Sequence, residues 1–228
     1  MKPLAVADPL LKLPCPYPDA TEFGSVVASS TRSIRESVVR LWLTEGTPYA
    51  FRGCPALYDA LRAWLGQKLS VCPKEITLIG SGRIGFSLAA SGDYGRPFSG
   101  QSDLDLSVVS VQLFEEFRTC FLQWKDDYKN QIVTPPNPTA RQYWDANLSS
   151  VPANLAKGFI DTYKIPNRNR YRVAQSANEV LWLLKEKLKI TPGAPQIKTA
   201  SIRIYSSWRA LVSQVSLNLH RLSERAQH

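Results

Sequence analysis

The sequence predicts an α+β fold, in which a short mixed sheet is flanked by helices and further helices stand near both ends of the chain. Three observations predict it. Apolar residues recur at helical spacing in several long segments, short β-branched runs indicate buried strands, and no strand–helix unit repeats along the chain. The 228 residues, 44% of them apolar, suffice for one large domain or two small ones with a buried core.

Five segments carry apolar side chains on one face of a helix. The clearest runs from Ser29 to Glu45 and stops at Gly46, and a second begins after Pro55. The other three predicted helices are 113–128, 177–189 and 208–225.

Short apolar runs at 75–79, 104–111 and 201–205 indicate three strands. The segment 86–102 between the first two contains three glycines and a proline, and cannot hold a long helix.

Proline content and motif positions divide the chain into three parts. Residues 1–27 contain five prolines and indicate an extended N-terminal arm. Residues 28–130 are predicted to form the core that carries the motifs discussed below. Residues 131–228 are predicted to begin with an irregular, proline-rich segment and to end in a helical part that completes the same fold.

Composition limits the classes of partner. The formal charge is +9, from 28 Lys and Arg against 19 Asp and Glu, which favours a polyanion such as nucleic acid or a nucleoside triphosphate. Four scattered cysteines without a C-x-x-C, and only two histidines, argue against a zinc site. The sequence shows no signal-peptide pattern and no apolar run of about 18–20 residues, so we expect a cytoplasmic protein without a membrane partner.

Two interpretations fit the glycine-rich segment from Gly80 to Gly85. Its pattern matches the G-x-G-x-x-G of dinucleotide-binding folds, and Asp103 and Asp105 follow about twenty residues later. Such a fold needs a helix directly after the glycines, with its N-terminus at the pyrophosphate. Glycines and Pro97 would end that helix within two turns, so NAD(P) binding is the weaker alternative.

The second interpretation joins the same glycines to the acids. Asp103 and Asp105 flank a leucine on a strand, where side chains alternate faces, so both carboxylates point the same way. Two such carboxylates repel unless a cation lies between them, and Mg²⁺ commonly takes one or two carboxylates together with substrate phosphates. An isolated Asp-x-Asp would more simply be a solvated strand edge, but Gly80-Ser81 one strand earlier favours a metal–nucleotide site.

Gly80-Ser81, followed by Asp103-Leu-Asp105 between apolar residues, resembles the signature of DNA polymerase β-like nucleotidyltransferases. The resemblance covers residues 75–111. In that family the Gly-Ser pair binds the nucleotide's phosphates and the paired acids hold two Mg²⁺ ions. It therefore implies a nucleotidyltransferase core here, with Mg²⁺ or Mn²⁺ at Asp103 and Asp105.

The resemblance also implies roles for further residues. The expected nucleotide-binding residues are Gly80, Ser81, Gly82, Arg83 and Arg203. Lys185 is another candidate phosphate contact, although a solvated helix face explains it better. Arg203 lies inside an apolar strand and must find an anion or a carboxylate partner.

The family's third acid is not evident. The strand 201–205 is well placed for it but offers Arg203, whereas Asp161 has the right apolar setting next to proline-rich sequence. We expect Asp161 to be the third catalytic acid. If neither position serves, the chain is a catalytically inactive member that binds nucleic acid.

The implied reaction moves a nucleoside monophosphate from an NTP or dNTP to a hydroxyl acceptor by a two-metal mechanism. The basic charge favours a nucleic-acid acceptor or an oligonucleotide product. The layout is also similar to small bacterial nucleotidyltransferases that accompany anti-phage effectors, which implies a partner effector protein.

Overall fold

A four-stranded mixed sheet lies at the centre of the computed structural model, which describes residues 6–13, 15–89 and 93–225. Its strands are β1 (Ile76–Ile79), β2 (Leu104–Val109), β3 (Phe159–Asp161) and β4 (Ala200–Tyr205). The strand order is β1-β2-β4-β3, with β2 and β4 parallel and both edge strands antiparallel to their neighbours. The class is therefore α+β, as the sequence predicts.

Helices account for most of the remaining residues. They are α1 (Asp8–Leu11), α2 (Ala20–Ala28), α3 (Arg32–Val38), α4 (Pro55–Leu69), α5 (Ser81–Ile84), α6 (Val111–Lys129), α7 (Pro138–Ala156), α8 (Arg172–Ile190) and α9 (Trp208–Arg225). One π-helical turn, Val39–Leu43, continues α3. No helix in the part of the chain that the structure describes combines the length and apolar character needed to cross a bilayer.

The two faces of the sheet contribute to two hydrophobic cores. Leu104, Leu106 and Val108 of β2 point into the larger core, together with residues of α4, α6, α7 and α8. Val109, at the end of the same strand, belongs to the second core, which is formed with α2, α3 and α9. Because side chains alternate along a strand, Asp105 shares a face with Val109 and not with its leucine neighbours.

Most predicted elements are confirmed. The helix predicted for 29–45 is α3 with its π-helical turn, and those after Pro55 and over 113–128 and 208–225 are α4, α6 and α9. The three predicted strands are β1, β2 and β4, with ends shifted by one or two residues. In the described residues of 86–102 there is no helix.

The extended arm predicted for residues 1–27 is wrong for Asp8–Leu11, which form α1, and for residues 20–27, which lie in α2. The Asp19 carboxylate accepts hydrogen bonds from the amides of Thr21 (2.7 Å) and Glu22 (3.3 Å) and so caps the helix. One face of α2 is buried in the second core. The prolines end before this cap, and residues 1–5 and 14 of the predicted arm lie outside the described residues.

The irregular segment predicted after residue 130 is also wrong, because α7 occupies nineteen of its residues. Pro138 stands in the first turn, where proline is tolerated because its missing N–H has no helical partner. The Asn137 side chain accepts a hydrogen bond from the amide of Ala140 at 2.8 Å and caps the helix. Pro152 lies inside α7 without ending it, and α8 begins at Arg172, earlier than predicted.

Candidate functional site

Gly80 brings the backbone after β1 against the Asp105 carboxylate. Ile79, the last residue of β1, pairs with Asp105 across the antiparallel ladder. Gly80 then turns the chain with φ +66° and ψ −153°, a conformation that is accessible essentially to glycine alone. A Cβ at this position would lie 3.0 Å from Asp105 Oδ2. Both the positive φ of the turn and the short distance to Asp105 therefore require glycine at this position.

The residues after Gly80 form a single helical turn and not a long helix. The amides of Arg83 and Ile84 donate to the Gly80 carbonyl at 3.0 and 3.2 Å, and α5 ends at Gly85 with φ +100°. Gly82 is buried, and a Cβ there would lie 3.3 Å from a Leu104 methyl group. The geometry thus lacks the helix that dinucleotide binding requires, and it packs the Gly-Ser turn onto β2.

Asp105 is half-buried, and its immediate neighbours shift the pKa of its carboxyl group. The Ser201 hydroxyl donates to Asp105 Oδ1 at 2.8 Å. Burial raises the pKa of Asp105, and the nearby charges of Asp103 and Asp161 raise it further, while the Ser201 hydrogen bond and the Arg203 charge act in the opposite direction. A carboxyl with a raised pKa binds a proton more readily than an ordinary aspartate.

Asp161 and Arg203 form a two-point ion pair on adjacent strands. Arg203 Nε lies 2.6 Å from Asp161 Oδ1, and Arg203 Nη2 lies 3.2 Å from Asp161 Oδ2. The guanidinium carbon is also 4.9 Å from the centre of the Phe159 ring. Burial lowers the pKa of Arg203, but the hydrogen bonds and charge of Asp161 outweigh that effect and raise it. The prediction that Arg203 needs a carboxylate or anion partner is confirmed.

Register places four of these side chains on one face of the sheet. Asp105 pairs with Ser201 across β2 and β4, and Arg203 pairs with Asp161 across β4 and β3. Directly opposite residues share a face, and so do residues two apart on one strand. We call these four side chains, together with the exposed Asp103 just before β2, the polar cluster.

Two predicted residues lie apart from the polar cluster. Arg83 is buried and donates from Nε to the Trp42 carbonyl (3.0 Å) and from Nη1 to the Thr47 carbonyl (2.5 Å), so it ties α5 to the chain around the π-helical turn. Lys185 lines a cleft of about 460 Å³ beside Lys189, and no residue of the polar cluster lines that cleft. Neither Arg83 nor Lys185 therefore belongs to the polar cluster.

Ser201 is the site residue that sequence reasoning missed. The signal was present, because Ser201 stands two residues before Arg203 on a predicted strand and so shares its face. What the sequence did not give is the parallel pairing of β4 with β2, which places Ser201 beside Asp105.

The acids fit one divalent cation that is shared with a substrate. Mg²⁺ usually keeps several waters and binds through one or two carboxylates plus phosphate oxygens, which Asp103 and Asp105 can provide. Nowhere in residues 6–13, 15–89 and 93–225 do three His, Cys, Asp or Glu side chains lie close enough to hold one metal ion. The donor set suits a metal–nucleotide complex better than a metal bound by protein alone.

No protein-family model, curated protein or solved structure matches this chain.

Proposed function

We propose that the chain is a metal-dependent nucleotidyltransferase with a polymerase β-like core, which transfers a nucleoside monophosphate from an NTP or dNTP to a hydroxyl acceptor. The approach of Gly80 to Asp105 carries this proposal. It joins a Gly-Ser turn and an Asp-x-Asp strand, 23 residues apart in sequence from Gly80 to Asp103, where β1 ends and β2 begins.

The chain's own residues have distinct tasks in this proposal. Asp103 and Asp105 hold Mg²⁺ or Mn²⁺, which when bound neutralises phosphate charge and polarises the reacting phosphorus. Ser81 and Gly82 begin the α5 turn, and the first amides of a helical turn have no partner within the helix. In this proposal, these amides and the Ser81 hydroxyl donate hydrogen bonds to the β- and γ-phosphates, as the amides of other glycine-rich turns do.

Asp105 is the proposed general base. The acceptor oxygen forms a bond to the α-phosphorus, the bond from that phosphorus to the bridging oxygen breaks, and pyrophosphate leaves. The proton of the acceptor hydroxyl passes to Asp105, whose carboxylate lies beside the Gly80 turn.

The net charge of +9 favours a polyanionic acceptor. We therefore propose that the enzyme makes or extends an oligonucleotide. The resemblance to small bacterial nucleotidyltransferases that accompany anti-phage effectors supports the same class of product and an effector protein as partner.

A second candidate function follows from the Asp161–Arg203 pair. Arg203 occupies both oxygens of the expected third acid, and this favours an inactive relative that binds nucleic acid through its net positive charge. Such a module would bind DNA or RNA with an affinity that falls steeply with salt, and would release no pyrophosphate.

The test is incubation with each radiolabelled ribo- and deoxyribonucleoside triphosphate and Mg²⁺ or Mn²⁺, resolved on a denaturing gel. We expect a labelled product that is lost in Asp103→Ala and kept in Asp126→Ala, which removes an exposed acid of α6 outside the polar cluster. No product from any nucleotide, combined with salt-sensitive nucleic-acid binding, would favour the inactive module.

A further inference from the structure

Asp161 does not join Asp103 and Asp105 around one metal ion. It is separated from Asp105 by β4 and by two positions in register. Both of its carboxylate oxygens are bonded to Arg203. Within the described residues, no three acids, histidines or cysteines lie close enough to hold one ion.

Arg203 occupies the position between these acids. It stands on β4, pairs directly with Asp161, and is close enough to Asp105 for its charge to lower the pKa of that carboxyl. Its guanidinium is held from two directions, by both oxygens of Asp161 and by the Phe159 ring. A guanidinium keeps its charge at every physiological pH. The polar cluster thus contains a fixed, oriented cation next to its acids.

The guanidinium retains donors for a ligand. Arginine has five N–H donors in a planar fork. One from Nε and one from Nη2 bond to Asp161, and the Tyr205 hydroxyl also acts on the guanidinium, so at most three donors remain. The arginine side chain is 27% exposed, whereas that of Asp161 is 8% exposed, so the cation and not the acid is accessible from outside. Guanidinium forks match the geometry of phosphate oxygens.

We infer that this site works with one divalent ion, and that Arg203 takes the place of the second ion by binding the phosphates of the nucleotide. The inference rests on the proposed function and changes the expected role of Asp161. In place of a catalytic metal ligand, Asp161 is a positioning residue that holds the guanidinium toward the substrate.

Counting bound Mn²⁺ tests this inference without any turnover. The wild-type protein is saturated with a non-hydrolysable α,β-methylene nucleoside triphosphate, tried with each of the four bases, and Mn²⁺ is titrated by electron paramagnetic resonance. We expect one Mn²⁺ per protein–nucleotide complex.

Variants of Asp161 and Arg203 show whether Asp161 is a metal ligand or a residue that positions the Arg203 guanidinium. Asp161→Asn should leave the Mn²⁺ count and Mn²⁺ affinity unchanged, because the residue is not a ligand. It should weaken nucleotide binding roughly tenfold, since the fork loses a charged hydrogen-bond partner. Arg203→Lys keeps the charge without the fork, and should also retain one Mn²⁺ while nucleotide affinity falls. It serves as the second probe if Asp161→Asn does not fold.

The Asp127–Arg170 pair offers a matched control. Arg170 also contacts both oxygens of its aspartate, at 2.5 and 3.0 Å, but these residues lie on α6 and just before α8, off the sheet. Asp127→Asn should lower thermal stability and leave both Mn²⁺ count and nucleotide affinity at wild-type values.

The outcomes distinguish this inference from the proposed function. Two Mn²⁺ per wild-type complex, with one lost in Asp161→Asn, would overturn the single-ion inference and leave the nucleotidyltransferase proposal standing. Failure of the wild-type protein to bind any nucleotide analogue with Mn²⁺ would overturn both.

Discussion

One face of the sheet has two halves that differ in what covers them. At one end, Val109, Phe159 and Tyr205 belong to the second hydrophobic core and are covered by side chains from α2, α3 and α9. A few residues away on the same strands, the polar cluster occupies equivalent positions of the ladder. The same alternation of side chains therefore produces core where helices cover the face, and a candidate site where polar groups replace the apolar ones.

Along one strand, the apolar half of the face contributes to stability and the polar half supplies the groups for chemistry. In the covered half, each side chain contributes by removing apolar area from water. In the polar half, the Asp105 carboxylate loses hydration that its neighbours do not fully replace, and burial therefore raises its pKa. Substitutions in the first half should cost stability, and substitutions in the second should cost activity.

The largest loss of activity is expected from substitution of Asp105. Asp105→Asn removes the proposed general base and a metal ligand, so the rate of nucleotide transfer should fall by about 10²–10⁴-fold. The free energy of unfolding should rise at any pH where the wild-type carboxylate is ionised, because its buried site disfavours the charge.

The gain in stability expected for Asp105→Asn should disappear when the pH is lowered. Burial raises the folded-state pKa of Asp105 above its unfolded value of about 3.9, so the cost of the ionised group is present above the folded-state pKa. The cost disappears as pH falls through the window between the two values. The excess Tm of Asp105→Asn over wild type should thus shrink between pH 7 and pH 4. An excess that grows in acid would contradict the burial argument.

Leu211→Ala should show the opposite behaviour. Leu211 of α9 is fully buried in the second core, so its truncation should cost about 2–5 kcal/mol of unfolding free energy. Nucleotide affinity of the folded fraction should stay unchanged, as measured by titration below the melting transition. Leu217→Ala on the exposed side of the same helix is the control and should have little effect on either quantity.

Gly80→Ala tests whether the close approach of the Gly80 turn to the Asp105 carboxylate is needed for activity. The positive φ and the 3.0 Å approach to Asp105 Oδ2 should together cost about 1–3 kcal/mol of stability and displace the acid, so nucleotide transfer should also slow. Gly53→Ala is the matched control, because no atom lies within 4 Å of a Cβ there. Equal activity in the two variants would remove Gly80 from the site.

Ser201→Ala should have the smallest effect. It removes one hydrogen bond to Asp105, worth about 0.5–1.5 kcal/mol, and that bond lowers the pKa of Asp105. The variant should stay folded, and the acid limb of its pH–rate profile should move to higher pH. A limb at the wild-type position would show that Ser201 does not tune Asp105.

The sequence was sufficient where local pattern and motif agree. The apolar run after Glu75 predicted β1, and the alternation around Leu104 predicted that Asp103 and Asp105 face away from the larger core, where Leu104 and Leu106 are indeed buried. These inferences need only the period of a strand.

The sequence was insufficient where long-range pairing or capping decides the structure. Prolines indicated irregular structure around Asp161, yet Pro138 starts a helix and Asp161 ends a strand. Arg83 stands next to the glycines in sequence, but its guanidinium is buried against two backbone carbonyls. No local signal reveals which of several strands will lie beside β2, and this pairing is what brings Ser201 to Asp105.

Metal-dependent nucleotide binding tests the central claim most directly, because it needs no knowledge of the acceptor. Calorimetric titration of each α,β-methylene ribonucleoside triphosphate in Mn²⁺ and in EDTA should show binding only with Mn²⁺. That binding should be lost in Asp105→Asn and kept in Asp126→Asn. Binding that is equal in EDTA, or that persists unchanged in Asp105→Asn, would contradict a metal–nucleotide site at Gly80 and Asp105.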